Sequence, residues 1–174
     1  KEEAKVGIWI KLTTINKTSK QITMTEIEEK VSEIEVSYKP AIGRRPIITS
    51  VLDAFNELVV FFPLNTIALQ EKFVVMYLNK GKRVIGIYPL SIGGIAGTIA
   101  DIKLILATAL KTASSSIVLC HNHPSGNLTP SRADREVTEK IKQACSYFDI
   151  ELIDHLIIAP NNEYLSMATE GLIN

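Results

Sequence analysis

The sequence predicts an α/β domain in which a mixed sheet is flanked by helices. Two observations carry this. Apolar runs too short for ordinary helices, at 71–79, 115–121 and 150–159, read as strands of a sheet. Residues 101–113 and 131–148 instead repeat apolar side chains at spacings of three and four, the stripe of a helix lying on a core. Strands and helices interleaved this way make a layered α/β domain, and 174 residues suffice for one such domain with an appendage.

Composition narrows the function. Hydrophobic residues make up 46% and charged residues 22%, ordinary globular values. The 19 Lys and Arg balance the 19 Asp and Glu, so no global field draws the chain to nucleic acid. That weighs against DNA binding as the main activity. Cys120 and Cys145 fall on core elements and read as buried small hydrophobes, not a disulfide framework. No signal-peptide pattern and no membrane-spanning apolar run is visible, so a cytoplasmic location is expected.

Along the chain, residues 1–45 form an N-terminal arm and linker, and 46–174 the domain. Residues 1–23 hold five Lys and two Glu around the apolar Gly7–Leu12, open to reading as a strand, a sticky arm or upstream sequence preceding a natural start at Met24. The acids between Glu26 and Glu35 form a solvated face, and Ile34, Val36 and Tyr38 alternate as in a half-buried strand. Pro40 to Pro46 reads as linker. Ser50-x-x-Asp53 caps a helix with the stripe Val51, Leu52, Phe55, Leu58, Val59 and Phe62, ended by Pro63. Asn79–Lys82 turns strand 71–79 back into Arg83–Tyr88, giving a hairpin. The glycine-rich 91–98 lacks the Gly-Lys-Ser/Thr of a phosphate loop and reads as a bulged turn or strand. Helix 101–113 turns Ile102, Ile105, Leu106, Ala109 and Ala113 inward, and a short last strand follows Asn161-Asn162 at Tyr164–Ser166.

The chemistry concentrates between Cys120 and Asp134. His121 and His123 close the strand 115–121, and side chains two apart on a strand share a face. Two imidazoles can therefore aim at one point. In helix 131–148 the stripe is Val137, Ile141, Ala144, Cys145 and Phe148, and Asp134 lies on it. An inward carboxylate needs a partner. Two imidazoles and a carboxylate suit Zn2+, whose catalytic sites leave the fourth position to water. The competing reading makes Ser131-x-x-Asp134 a capping box, with the acid at the positive helix end.

His-Asn-His-Pro-Ser-Gly at 121–126, then Pro130-Ser131 and Asp134, resembles the RadC family, a bacterial branch of the JAB/MPN (JAMM) metalloprotease-like domains. Leu152–Ile158 and Leu165-Ser166 with Gly171 resemble its closing strands, so the likeness covers about residues 46 to 173. It implies the JAB/MPN fold, a cytidine-deaminase-like three-layer sandwich. It implies His121, His123 and Asp134 as metal ligands, since ten residues separate His123 from Asp134 as in the JAMM pattern. It also implies Glu71 as catalytic base, opening the central strand, and Ser131 as hydrogen-bond donor to the tetrahedral oxyanion. Glu57 is the runner-up base, on the polar side of its helix. His155 offers an alternative third imidazole, against a structural reading in which Asp154 and His155 brace the metal loop.

The expected function is a zinc-dependent metallohydrolase, a peptidase or isopeptidase acting on a peptide or protein substrate. The alternative implied by the family is a DNA-repair-associated protein without independent catalytic activity. Longer members carry a helix-hairpin-helix region with no recognisable counterpart in residues 1–49. A third reading is a non-catalytic interaction module that has lost its metal.

Overall fold

A computed structural model describes Gly43, residues 45–93 and residues 100–173. The readings on residues 1–42 and on Gly94–Thr98 lie outside the described residues. Five strands form one mixed sheet: β1 (Lys72–Leu78), β2 (Val84–Ile92), β3 (Ser116–Asn122), β4 (Glu151–Ile158) and β5 (Tyr164–Ser166). Their spatial order is β2-β1-β3-β4-β5. β3 pairs antiparallel with β1 and parallel with β4, so the middle of the sheet belongs to β3, not to the strand opened by Glu71.

Each strand's alternation feeds two cores. Val74, Met76 and Leu78 join Val118 and Cys120 beneath α1 (Val51–Leu58) and its 3-10 continuation Val59–Phe61. Phe73, Val75 and Tyr77 join Ile117 and Leu119 beneath α2 (Ile102–Lys111) and α3 (Arg132–Ser146). The result is the three-layer α/β sandwich that the sequence implies. Both cysteines are buried in it. Among the described residues no helix is long and apolar enough to cross a membrane.

Each helix starts where a side chain can satisfy its free amides. Ser50 and Asp53 form a reciprocal capping box on α1, and the Asp101 carboxylate accepts from Lys103 N and Leu104 N at the start of α2. Some boundaries differ from the sequence reading. The α1 helix buries Ala54 and Leu58, whereas Leu52 is 54% exposed. β2 runs on past Tyr88 through Ser91 and Ile92. α3 stops at Ser146: Tyr147 caps it, and Asp149 turns into the left-handed region at φ 54, which leaves Phe148 half-exposed. Pro46–Ile48, at the end of the expected linker, is tied to the hairpin by the Ile47–Arg83 bridge.

One polar residue joins distant parts of the core. Asn122 is fully buried at the end of β3. Its Oδ1 accepts from Lys72 N at 2.8 Å, and its Nδ2 donates to Ile67 O and Gln70 O at 2.7 and 2.9 Å. It thereby holds the loop leading into β1. Asn122→Ala would remove the side-chain partner of three backbone groups, one buried and two part-buried, and is expected to cost about 2–4 kcal/mol. A lowered urea midpoint together with faster hydrogen exchange at the Lys72 amide would register it.

Candidate metal centre

β3 delivers the two histidines from the centre of the sheet. His121 is Cα partner to Phe73 on one side and to Ile157 on the other. Its ring is 1% exposed and stacks on Phe73, with centroids 5.9 Å apart and planes 4° from parallel. His123 lies just past the strand, where its N–H donates to Ile158 O. The turn that follows closes with Gly126 N on His123 O at 3.0 Å. Gly126 has φ 79, a left-handed conformation that disfavours any side chain although nothing crowds the position. The turn brings Asn127 O back to His123 Nδ1 at 2.5 Å.

α3 delivers the carboxylate. Ser131 Oγ accepts from Asp134 N at 3.1 Å, and Asp134 Oδ2 accepts from Ser131 N at 2.7 Å. The capping box is therefore real, and it does not compete with the other role. It fixes the side chain so that Oδ1 lies 3.3 Å from His121 Nε2 and Oδ2 lies 3.5 Å from His123 Nε2. The two Nε2 atoms are 2.9 Å apart. His121, His123 and Asp134 form a group whose ligand atoms lie within 4.8 Å of one another.

The donor chemistry fits a metal. A backbone carbonyl only accepts, so His123 must keep its proton on Nδ1 and, when neutral, present a bare lone pair at Nε2. That lone pair faces another ring nitrogen and a carboxylate. Such a group needs a cation. In the metal-free chain a proton serves: the Asp134 hydrogen bond holds the His123 pKa above its usual value, against the opposing effect of burial. Burial pushes the Asp134 carboxyl up, but its contacts with the His121 and His123 imidazoles outweigh that and hold the group well below the usual carboxylate range.

The neighbouring candidates divide. Glu71 stands half-buried just before β1, and continuing the Phe73–His121 register by two residues sets it opposite His123. Its charge is among those that raise the His123 pKa, and its carbonyl accepts from Gly93 N at 2.8 Å. Glu57 belongs to α1, which packs on the opposite face of the sheet, and lines a cleft there with Arg45 and Arg83. It is no part of this site. His155 is fully buried behind the group, with Nε2 2.8 Å from His121 Nδ1 and Nδ1 2.6 Å from Thr138 Oγ1. Both its ring nitrogens are engaged away from His123 and Asp134. Burial pushes its pKa well below the usual value, so the ring is neutral. Asp154 does not touch that ring. It accepts from His155 N, Ala168 N and Ser166 Oγ, tying β4 to β5 and the turn beyond.

Residues 49–172 match the family described as RadC-like JAB domain. The chain belongs to the RadC family. Among its relatives is a UPF0758 protein of Flavobacterium johnsoniae, 43% identical over 125 residues, covering 72% of this chain and 53% of the relative. A UPF0758 protein of Porphyromonas gingivalis is 34% identical over 143 residues, covering 82% of this chain and 63% of the relative. One of Streptococcus sanguinis is 42% identical over 95 residues, 55% of this chain and 42% of the relative. The chain thus matches roughly half the length of these curated relatives. The RadC match takes in every element from α1 to β5 and all three members of the His121–His123–Asp134 group.

Two residues of this RadC domain escaped the sequence reading. Thr138 lies one turn beyond Asp134 and is buried, and Asn122 points to the sheet face opposite His121. The i, i+4 spacing from Asp134 and the strand alternation were the available signals.

The shifts set a pH dependence for the metal-free protein. The lowered pKa of Asp134 contributes stability above the ordinary carboxylate range, lost as pH falls. The raised pKa of His123 contributes stability below the ordinary imidazole value, lost as pH rises through the raised one. His155, buried neutral with a lowered pKa, opposes folding as pH falls below the ordinary imidazole value, so urea midpoints of chelator-treated protein are expected to peak at about pH 6.5 and to fall on either side. Asp134→Asn should flatten that peak.

Proposed function

We propose that this RadC domain is a zinc-dependent hydrolase that cleaves peptide or isopeptide bonds in a protein substrate. The observation that carries the reading is the convergence of two imidazole nitrogens and a carboxylate, with a second carboxylate, Glu71, standing just before the neighbouring strand β1. Two nitrogen donors and one oxygen donor suit zinc with an open position. His121, His123 and Asp134 would hold it. When bound, the ion supplies a Lewis acid and brings the pKa of water down toward ~7.

The remaining work falls to the chain's own groups. Glu71 takes the proton of the attacking water and returns it to the leaving amine. Ser131 Oγ already accepts from Asp134 N, and among the described residues its own proton has no acceptor. It is free to donate to the tetrahedral oxyanion while still capping α3. The zero net charge supports a protein substrate over duplex DNA.

Metal analysis of protein purified without added metal is expected to give one zinc per chain, and none for His123→Ala. Glu71→Gln should keep the zinc and lose at least about 100-fold in amide cleavage. Zinc-loaded wild type that cleaves no peptide or isopeptide substrate in a broad panel would defeat the hydrolase reading.

A further inference from the structure

Behind the candidate ligands lies a chain of hydrogen bonds whose direction can be worked out atom by atom. It starts at the Asp134 carbonyl, which can only accept. Thr138 Oγ1 lies 2.5 Å from it, and two oxygens that close require the threonine proton between them. A hydroxyl has one proton to give. With that proton committed to Asp134 O, Thr138 must accept at the 2.6 Å approach of His155 Nδ1, its remaining contact being Met167 Sδ at 3.8 Å. His155 then carries its proton on Nδ1. The ring is 0% exposed and its two nitrogens are engaged by Thr138 and His121, not by a carboxylate, so it holds only that one proton. Its Nε2 is a lone pair, and the ring nitrogen 2.8 Å away, His121 Nδ1, must donate to it. The neutral His121 ring is left with a bare Nε2, the atom that faces His123 Nε2 and Asp134 Oδ1.

The geometry points to Thr138 and His155 as positioning residues that fix the tautomer of His121 and so keep its Nε2 free for a metal. The inference rests on the metal reading of the site and deepens it. The relay begins on the same residue that supplies the carboxylate, so the helix presenting one ligand also sets the proton of another through the adjacent strand β4. Asn127 O does the same for His123 from the other side. Both rings are thereby held with the proton on Nδ1. Imidazoles free in water favour the proton on Nε2, so the ordered state is distinguishable from an unconstrained one. Packing adds to the alignment: Phe73 stacks on His121 and tilts against His155 at 5.4 Å between centroids.

The test uses the full chain with 15N-labelled histidine, stripped of metal and held at a pH where the imidazoles are neutral. Long-range proton–nitrogen spectra are expected to show Nδ1–H at both His121 and His155. Thr138→Val, close in shape but unable to accept, should lose that state at His155 and lower zinc affinity about 10–100-fold in competition with a chromophoric chelator. Thr138→Ser, which keeps the hydroxyl, should restore both. An Nε2–H form at either ring of the wild type, or a Thr138→Val protein with unchanged spectra and affinity, overturns the relay. The two readouts separate the two ideas. Nδ1–H at both rings with no zinc uptake by wild type upholds the proton order and defeats the metal centre. Nε2–H at His121 with normal zinc uptake does the reverse.

Discussion

Every residue of β3 is buried, and the structure answers to that constraint. A strand enclosed on both faces cannot send polar side chains to water, so those at its end must be satisfied inside the protein. His121 and Asn122 divide the task between the two faces. The imidazole goes toward α3 and finds His155, His123 and Asp134. The amide goes toward α1 and holds three backbone groups of the loop before β1. The candidate metal group and the anchoring of the segment that carries Glu71 thus arise from consecutive residues of one strand.

Much of this was legible in the chain, because buried strands and amphipathic helices write their periods into the sequence. The His-x-His spacing and the inward position of Asp134 identified the group that the structure assembles. Two readings of Asp134, cap and ligand, looked like alternatives because a sequence does not show that one carboxylate has enough lone pairs for both. The misses have common causes. Ala54 was passed over for Leu52 because hydropathy favours the larger side chain and does not report which side of α1 faces the sheet. Phe148 was drawn onto the stripe of α3 because nothing in its own chemistry announces the left-handed turn at Asp149. Thr138 and Asn122 were missed as core residues because partners that satisfy them there, His155 and the Ile67 carbonyl, lie far away in sequence.

The two sides of the domain differ in kind. On the face toward α1 the apolar core carries separate polar ties, Asn122 to the loop before β1 and Asp154 to Ser166 and the turn beyond β5. Beneath α3 the same sheet grades from the packed Ile141 and Cys145 into a polar row of Thr138, His155 and His121. That row is satisfied at every described polar atom, since no buried side-chain nitrogen or oxygen among the described residues lacks a partner. A fully connected polar network rigidifies its surroundings, whereas a partly connected one is a liability.

The capping box has a thermodynamic consequence. The carboxylate that starts α3 is also the one turned to the imidazoles, so ordering of the helix's first turn and occupation of the group draw on a single side-chain position. Were a metal to fill the site, the free energy released would be delivered to the helix start, and fraying of that turn would withdraw one of the three candidate ligands. Occupancy and local unfolding become two readings of one equilibrium.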